Sequence, residues 1–257
     1  LVSDPSASVR EMMKTEREPL DAMTSADEVA RRFERNDWIS APVVDPQGKL
    51  IGRITIDDVV DVIREQADHS LAVMAGLGDG DAFTPVLQTA PQRAVWLAVN
   101  LLTAILAASV ISLFQATIEK VVALAVLMPI VASMGGIAGT QSLTVLIRAM
   151  AMGQINDRTE IWLVRREILV SALNGLIWAF VMALVTTYWF DDSTLGLIIA
   201  FAIIVNLLTA GIAGASLPLL LERLKIDPAL AGGVILTTVT DVVGFWAFLG
   251  LAAYFYG

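Results

Sequence analysis

The chain of 257 residues contains no cysteine and one histidine, His69. The first absence excludes a disulfide framework and any thiolate-held metal centre, and it leaves no signal about redox compartment. The second excludes a metal site built from histidines. Positive charge is also scarce: 17 Lys+Arg stand against 26 Asp+Glu, for a formal net charge of −9. Nucleic acid needs a basic face to meet its phosphates, so that partner class is excluded and cations become the natural partner. Residues 1–90 contain no apolar run of signal-peptide type, and the chain begins at Leu1 rather than Met. We therefore expect a fragment that lacks natural upstream sequence.

Apolar residues are abundant, at 56% of the chain. They are also segregated. Residues 1–93 hold 10 Lys+Arg and 17 Asp+Glu, whereas residues 94–257, the larger part, hold 7 and 9. This pattern reads as an acidic soluble domain followed by a membrane domain. Apolar segments lie at about 94–114, 121–147, 168–190, 195–221 and 229–256, each long enough for the roughly 20 residues that cross a hydrocarbon core. Five spans put the two ends on opposite sides. Arg93, Arg148, Arg158, Arg165, Arg166, Arg223 and Lys225 fall on the side of the soluble domain, and only Lys120 on the other. That asymmetry predicts a multi-pass protein of the cell membrane with a cytosolic N-terminal domain and an outward C-terminus.

Near the middle of the last span stands Asp241, in the stretch TTVTDVVGF. A charged Asp at a helix centre costs about 2.5–3.5 kcal/mol on insertion scales, so it needs a reason. It could be protonated and bonded across helices, paired in a salt bridge, or set in a wetted cation-binding position. No Lys or Arg lies at the centre of any span, which removes the salt bridge, and intramembrane carboxylates mark ion or proton pathways. Thr237 lies one helical turn earlier on the same face. A site with one carboxylate and no soft ligand suits Mg²⁺, which keeps most of its waters and needs only one or two carboxylates. In a symmetric dimer two copies of Asp241 would meet near the axis.

The second span contains PIVASMGGIAGTQSLT, residues 129–144. Pro129 removes a backbone donor, and Gly135, Gly136 and Gly139 leave backbone uncovered. Close helix packing through small residues and a pore lining account for the glycines equally well. Ser133, Thr140, Gln141 and Ser142 favour a wetted face. Asn100, Asn174 and Asn206 read as interhelical hydrogen bonds.

In the soluble half, APVVDPQGKLIGRITIDDVVDVI at 41–63 reads as strand, turn, strand and helix, with the turn at Asp45-Pro46-Gln47-Gly48. Upstream, Ser25 is expected to cap a helix through about Asn36, with Glu28 completing a capping box. This is a small α/β module. The helix after Asp57 carries Asp57 or Asp58, Asp61, Glu65 and Asp68 in one stripe. Such a stripe is usually a solvated face, but a divalent cation would relieve its repulsion, which suits a Mg²⁺ sensor. His69 is assigned no role. Gly76, Gly78 and Gly80 predict a flexible joint between the two halves.

PIVASMGGIAGTQSLTVLIRAMA in the second span and DPALAGGVILTTVTDVVGF in the fifth resemble the MgtE family of magnesium channels, and APVVDPQGKLIGRITIDDVVDVI resembles the second CBS domain of the same proteins. The resemblance covers nearly the whole chain. It implies a CBS domain over 1–63, an acidic connecting (plug) helix and linker over 57–92, and a five-helix pore domain over 93–257. The fold class implied is an α-helical polytopic membrane protein with a small N-terminal α/β CBS domain. It implies a homodimer conducting hydrated Mg²⁺ along its axis, gated by cytosolic Mg²⁺, and no enzyme activity. By motif, Asp241 resembles the pore carboxylate, with Thr237 beside it. Asp227 resembles an acid of the cytosolic mouth, and Glu167 a companion to it. Asp37, Asp58 and Asp61 resemble the sensor acids of the CBS side. The pattern Thr55-x-x-Asp58 meets a ribose in nucleotide-binding CBS domains, which makes ATP a second candidate ligand.

Two departures from the family stand out. Ile137 occupies a position between the paired glycines and AGTQ that is usually Asn, which puts selectivity or conductance in question. The N-terminal domain and the first CBS repeat of the family have no counterpart here; CBS modules pair, so gating is also in question. The nearest rival function is an exchanger coupling a divalent cation to Na⁺ or H⁺. From other classes, an intramembrane aspartyl protease requires two carboxylates sharing a proton, whereas one mid-membrane Asp is present. A CBS sensor merely anchored by its spans leaves Asp241 without a purpose.

Overall fold

The computed structural model describes residue 8 and residues 19–74 and 85–257. The chain divides into two compact units, Leu1–Leu71 and Ala72–Gly257.

The first unit is a three-stranded sheet with helices. Strand β1 (Leu20–Asp21) pairs parallel to β2 (Ser40–Val44), and β2 pairs antiparallel to β3 (Leu50–Thr55), with Ala41 opposite Ile54 and Val43 opposite Gly52. β1 had no counterpart in the sequence reading. The β2–β3 turn is built as expected: Asp45 Oδ1 accepts from the backbone N–H of Gln47 and Lys49, at 3.0 and 2.8 Å, and Gly48 takes φ +79.

Helix α1 (Ala26–Asn36) begins at Ser25, whose Oγ accepts from Glu28 N at 3.4 Å. The capping box is only half made, because the Glu28 carboxylate pairs with Arg32 at 2.9 Å instead of turning back to the cap. Val29, Ala30 and Phe33 bury one face of α1 against Leu20, Ala41 and Val59, and Trp38 meets Phe33 edge-on with ring centroids 5.6 Å apart. Helix α2 (Ile56–Met74) follows β3 directly. Outside this small core, Ile39, Leu50, Ile51, Val60 and Ile63 remain exposed. The joint at Gly76, Gly78 and Gly80 lies outside the described residues.

The second unit is a helical bundle. Five helices are long and apolar enough to cross a membrane: α3 (Val86–Ser112), α5 (Ala123–Ala151), α6 (Asp157–Phe190), α7 (Ser193–Arg223) and α8 (Pro228–Tyr256). A short helix α4 (Gln115–Lys120) fills the gap between the first two apolar segments. The third span also starts eleven residues earlier than its apolar stretch. Asn156 caps it in a reciprocal box with Thr159, so most of the presumed second gap is helix. Sequence hydropathy marks the part of a helix that can sit in lipid; the cap decides where the helix begins.

Helix α7 is the centre of the bundle, packed against α5, α6 and α8, while α3 leans mainly on α8. Close approach is made through small residues. A Cβ on Gly214 of α7 would lie 2.6 Å from the Gly139 carbonyl oxygen and 2.9 Å from Ser142 Cβ of α5. Leu124, Leu127 and Val131 of α5, Ile198, Ile199 and Ile203 of α7, and Phe248 and Leu249 of α8 form the shared core. The consequence is that α5 and α8 are held side by side with one face of each left uncovered.

Candidate functional site

Along α5 the buried positions Val131, Gly135, Gly139, Leu143 and Leu146 recur at helical spacing and turn to the bundle. Ser133, Ile137, Thr140, Gln141 and Thr144 are exposed on the other side. Several of these meet Thr237 and Asp241 of α8 in an open groove of about 530 Å³, lined by Ala132, Ser133, Gly136, Ile137, Thr140, Gln141, Thr237 and Asp241. The spans touch here: a Cβ on Gly136 would come 4.0 Å from Thr237 Cγ2.

The glycine triplet is therefore divided between the two roles that the sequence allowed. Gly135 and Gly139 serve close packing: a Cβ on Gly139 would stand 2.9 Å from the Leu236 side chain, and one on Gly135 would overlap Asn206. Gly136 lines the groove. Ser142 departs from the expected wetted face, because it is buried and donates to Glu167 Oε2 at 2.9 Å.

The two threonine hydroxyls of the groove serve as acceptors. Thr140 Oγ1 donates to the Gly136 carbonyl at 2.8 Å, and Thr237 Oγ1 lies 3.1 Å from both the Gly233 and Val234 carbonyls. Both hydroxyl hydrogens are thus spent on their own helices, leaving oxygen lone pairs as acceptors. The Asp241 carboxylate, half-buried, makes no hydrogen bond or ion pair among the described residues. Among those residues no three His, Cys, Asp or Glu side chains converge to hold a bare metal ion. One carboxylate with a few neutral oxygens fits an ion that keeps its water shell.

The other candidates are placed elsewhere. Glu167 is 5% exposed and lines a separate cavity of about 470 Å³ between α5, α6 and α7. Its Oε1 accepts from Arg166 at 2.7 Å, so its charge is already compensated. Ile137 and Gln141 line both cavities. Asp227 is the N-cap of α8, accepting from Ala229 N at 2.8 Å. Its carboxylate is exposed at the end of the span rather than in the groove.

On the first unit, Asp37 ends α1 in the left-handed region at φ +50, and Asp61 is exposed on α2. Asp58 Oδ2 accepts from Thr55 N at 2.9 Å and from Thr55 Oγ1 at 2.8 Å. The backbone bond first, and the hydroxyl second, hold its carboxyl below the usual Asp range. Thr55 and Asp58 are thus satisfied by each other at the start of α2. The sequence signal for this role was available, since Thr at an N-cap followed by an acid three residues on is a helix-start pattern.

Residues 128–251 match the MgtE family model, described as a divalent cation transporter, and residues 9–65 match the CBS domain model. The magnesium transporter MgtE of Bacillus subtilis (strain 168) is 34% identical over 256 residues, covering 99% of this chain and 57% of that protein. The protein of the same name from Thermus thermophilus is 33% identical over 258 residues, 98% of this chain and 56% of the relative. That of Enterococcus faecalis is 30% identical over 229 residues, 89% and 51%. The chain spans about half the length of the curated relatives it matches. With its five apolar helices, its groove motifs and a CBS module ahead of them, the chain belongs to the MgtE family.

Proposed function

We propose that this chain forms a homodimeric pore that conducts hydrated Mg²⁺ across the cell membrane. The observation that carries the reading is the open groove that holds Asp241 and Thr237 between two apolar spans. Hydrocarbon would leave those groups unsolvated at a cost of several kcal/mol. A second copy related by a two-fold axis would close the groove on itself and bring two Asp241 carboxylates to one water-filled path. Two carboxylates and a ring of acceptor oxygens suit an ion that enters with its waters.

Gating by cytosolic Mg²⁺ belongs to the same proposal. Asp37, Asp58 and Asp61 are exposed acids on the CBS module, and a divalent cation would relieve the repulsion between Asp58 and Asp61 along α2. The exposed apolar side chains Ile51 and Val60 suit pairing with another such module. The arginine-rich side of the spans supports a cytosolic position for this module. ATP at Thr55 and Asp58 is retained as a candidate ligand, in competition with the capping contact.

The decisive experiment is Mg²⁺ flux in proteoliposomes with and without an imposed voltage. Flux that follows voltage with no coupled ion supports a channel. A requirement for a Na⁺ or H⁺ gradient would replace it with the exchanger, and absence of Mg²⁺ flux would remove the reading.

A further inference from the structure

Asn206 on α7 is fully buried, yet one of its polar atoms has no partner. Its Nδ2 donates to the Val131 carbonyl oxygen of α5 at 2.7 Å, and this bond assigns the amide orientation, since only the NH₂ can donate to a carbonyl. Its Oδ1 has no hydrogen-bond partner among the described residues. Two glycines from different spans make the space. A Cβ on Gly135 of α5 would overlap the amide, and one on Gly244 of α8 would lie 2.7 Å from Nδ2 and 2.9 Å from Cγ. The amide therefore occupies a slot bounded by the second and fifth spans, with no room to spare on either side.

The slot backs onto the ion groove. Gly136, next after Gly135, lines the groove, and Gly244 lies three residues beyond Asp241 on α8. Stability gives no reason for an amide here. A buried acceptor without a partner is a destabilising feature, and an apolar side chain of similar size would remove it. What an amide adds is a directional tie to one carbonyl, which sets α5 against α7 in one register.

We propose that Asn206 is a positioning residue for ion passage: wedged between Gly135 and Gly244 and tied to Val131, it fixes the spacing of α5 and α8 and so the width of the groove at Thr237 and Asp241. This rests on the conduction reading above. A packed slot transmits a change of volume instead of absorbing it, so altering the wedge moves both groove walls.

The test uses the full chain in liposomes, reading the Mg²⁺-to-Ca²⁺ flux ratio per folded protein together with melting temperature and oligomeric state. Asn206→Leu should fold and assemble as wild type, while the ratio shifts by about tenfold, the equivalent of about 1.4 kcal/mol. Gly135→Ala should shift the ratio as well, by displacing the amide. Gly135→Ala combined with Asn206→Ala should recover part of that shift, because the truncated side chain leaves room for the new methyl. If Asn206→Leu does not fold, the Gly135→Ala pair decides alone. A ratio equal to wild type in both Asn206→Leu and Gly135→Ala, or a fall in flux that merely tracks lost folded protein, overturns the proposal. Wild-type protein without Mg²⁺ flux would instead remove the conduction reading and this inference with it.

Discussion

The phenol of Tyr256, at the end of the fifth span, donates to Oδ2 of Asp192, in the turn between the third and fourth, at 2.5 Å across 64 positions of sequence. Asp192 also caps α7 by accepting from Leu195 N at 3.0 Å. One carboxylate thus ties the start of α7 to the end of α8.

That tie has a pH signature. The Tyr256 bond, ahead of the backbone bond from Leu195, holds the Asp192 carboxyl below the usual Asp value of 3.8. A depressed carboxyl contributes stability that is complete above the unfolded value and is lost as pH falls through the lower folded one. Tyr256→Phe should therefore cost about 1 kcal/mol at neutral pH. The gap in melting temperature between wild type and variant should hold from neutral pH down to about 5 and shrink below about 4. A gap independent of pH would mean that the ring, not the hydrogen bond, supplies the stability.

Asp241→Asn keeps shape and hydrogen bonding but removes one charge per chain. A divalent ion about 4–5 Å from a carboxylate gains on the order of several kcal/mol at an effective dielectric near 20. Mg²⁺ flux should fall more than about a hundredfold, with the oligomeric state unchanged and the thermal stability equal or higher. Asp241→Glu should be impaired as well, since one methylene moves the oxygens within a water-sized gap. Flux of wild-type size in Asp241→Asn at equal protein incorporation would reduce Asp241 to a packing role.

Ile137 is 59% exposed and lines the same groove as Asp241. An amide there can hold a water of the ion's shell and an alkyl group cannot. Ile137→Asn should raise conductance or change the Mg²⁺-to-Ca²⁺ ratio by about fivefold, the equivalent of one hydrogen bond near 1 kcal/mol. Identical currents and selectivity would place the side chain outside the ion path.

The two acids of α2 proposed as sensors should separate experimentally. Asp61 has no bonding partner among the described residues, so Asp61→Asn should weaken Mg²⁺-dependent protection of residues 57–77 from protease without lowering the melting temperature. Asp58 holds Thr55 at the helix start, so Asp58→Ala should lower the melting temperature of the CBS module as well. Unchanged protection over a Mg²⁺ titration in the double variant would remove both from the sensor.

Much of this was determined by sequence because the signals are local and costly to violate. Five apolar runs must be buried in lipid or core, an Asp in the last of them demands a reason, and the Asp45-Pro46-Gln47-Gly48 turn carries its own geometry. Local rules also misplace what long-range contacts decide. Gly135, Gly136 and Gly139 look alike in a string of letters. Which of them faces Asn206, Leu236 or open groove depends on where α7 and α8 lie, tens of residues away. Ser142 and Gln141 are neighbours of similar polarity, yet a helix turns them about 100° apart, so one meets Glu167 and the other the groove. Asp227 caps its own helix through a local contact with Ala229 N, which the sequence carries, whereas the Ser142 hydroxyl reaches Glu167 from another helix, which only the bundle brings about. Sequence decided which chemistry the chain owns; packing around α7 decided which of those groups share a space, because only the bundle determines which helix faces remain uncovered.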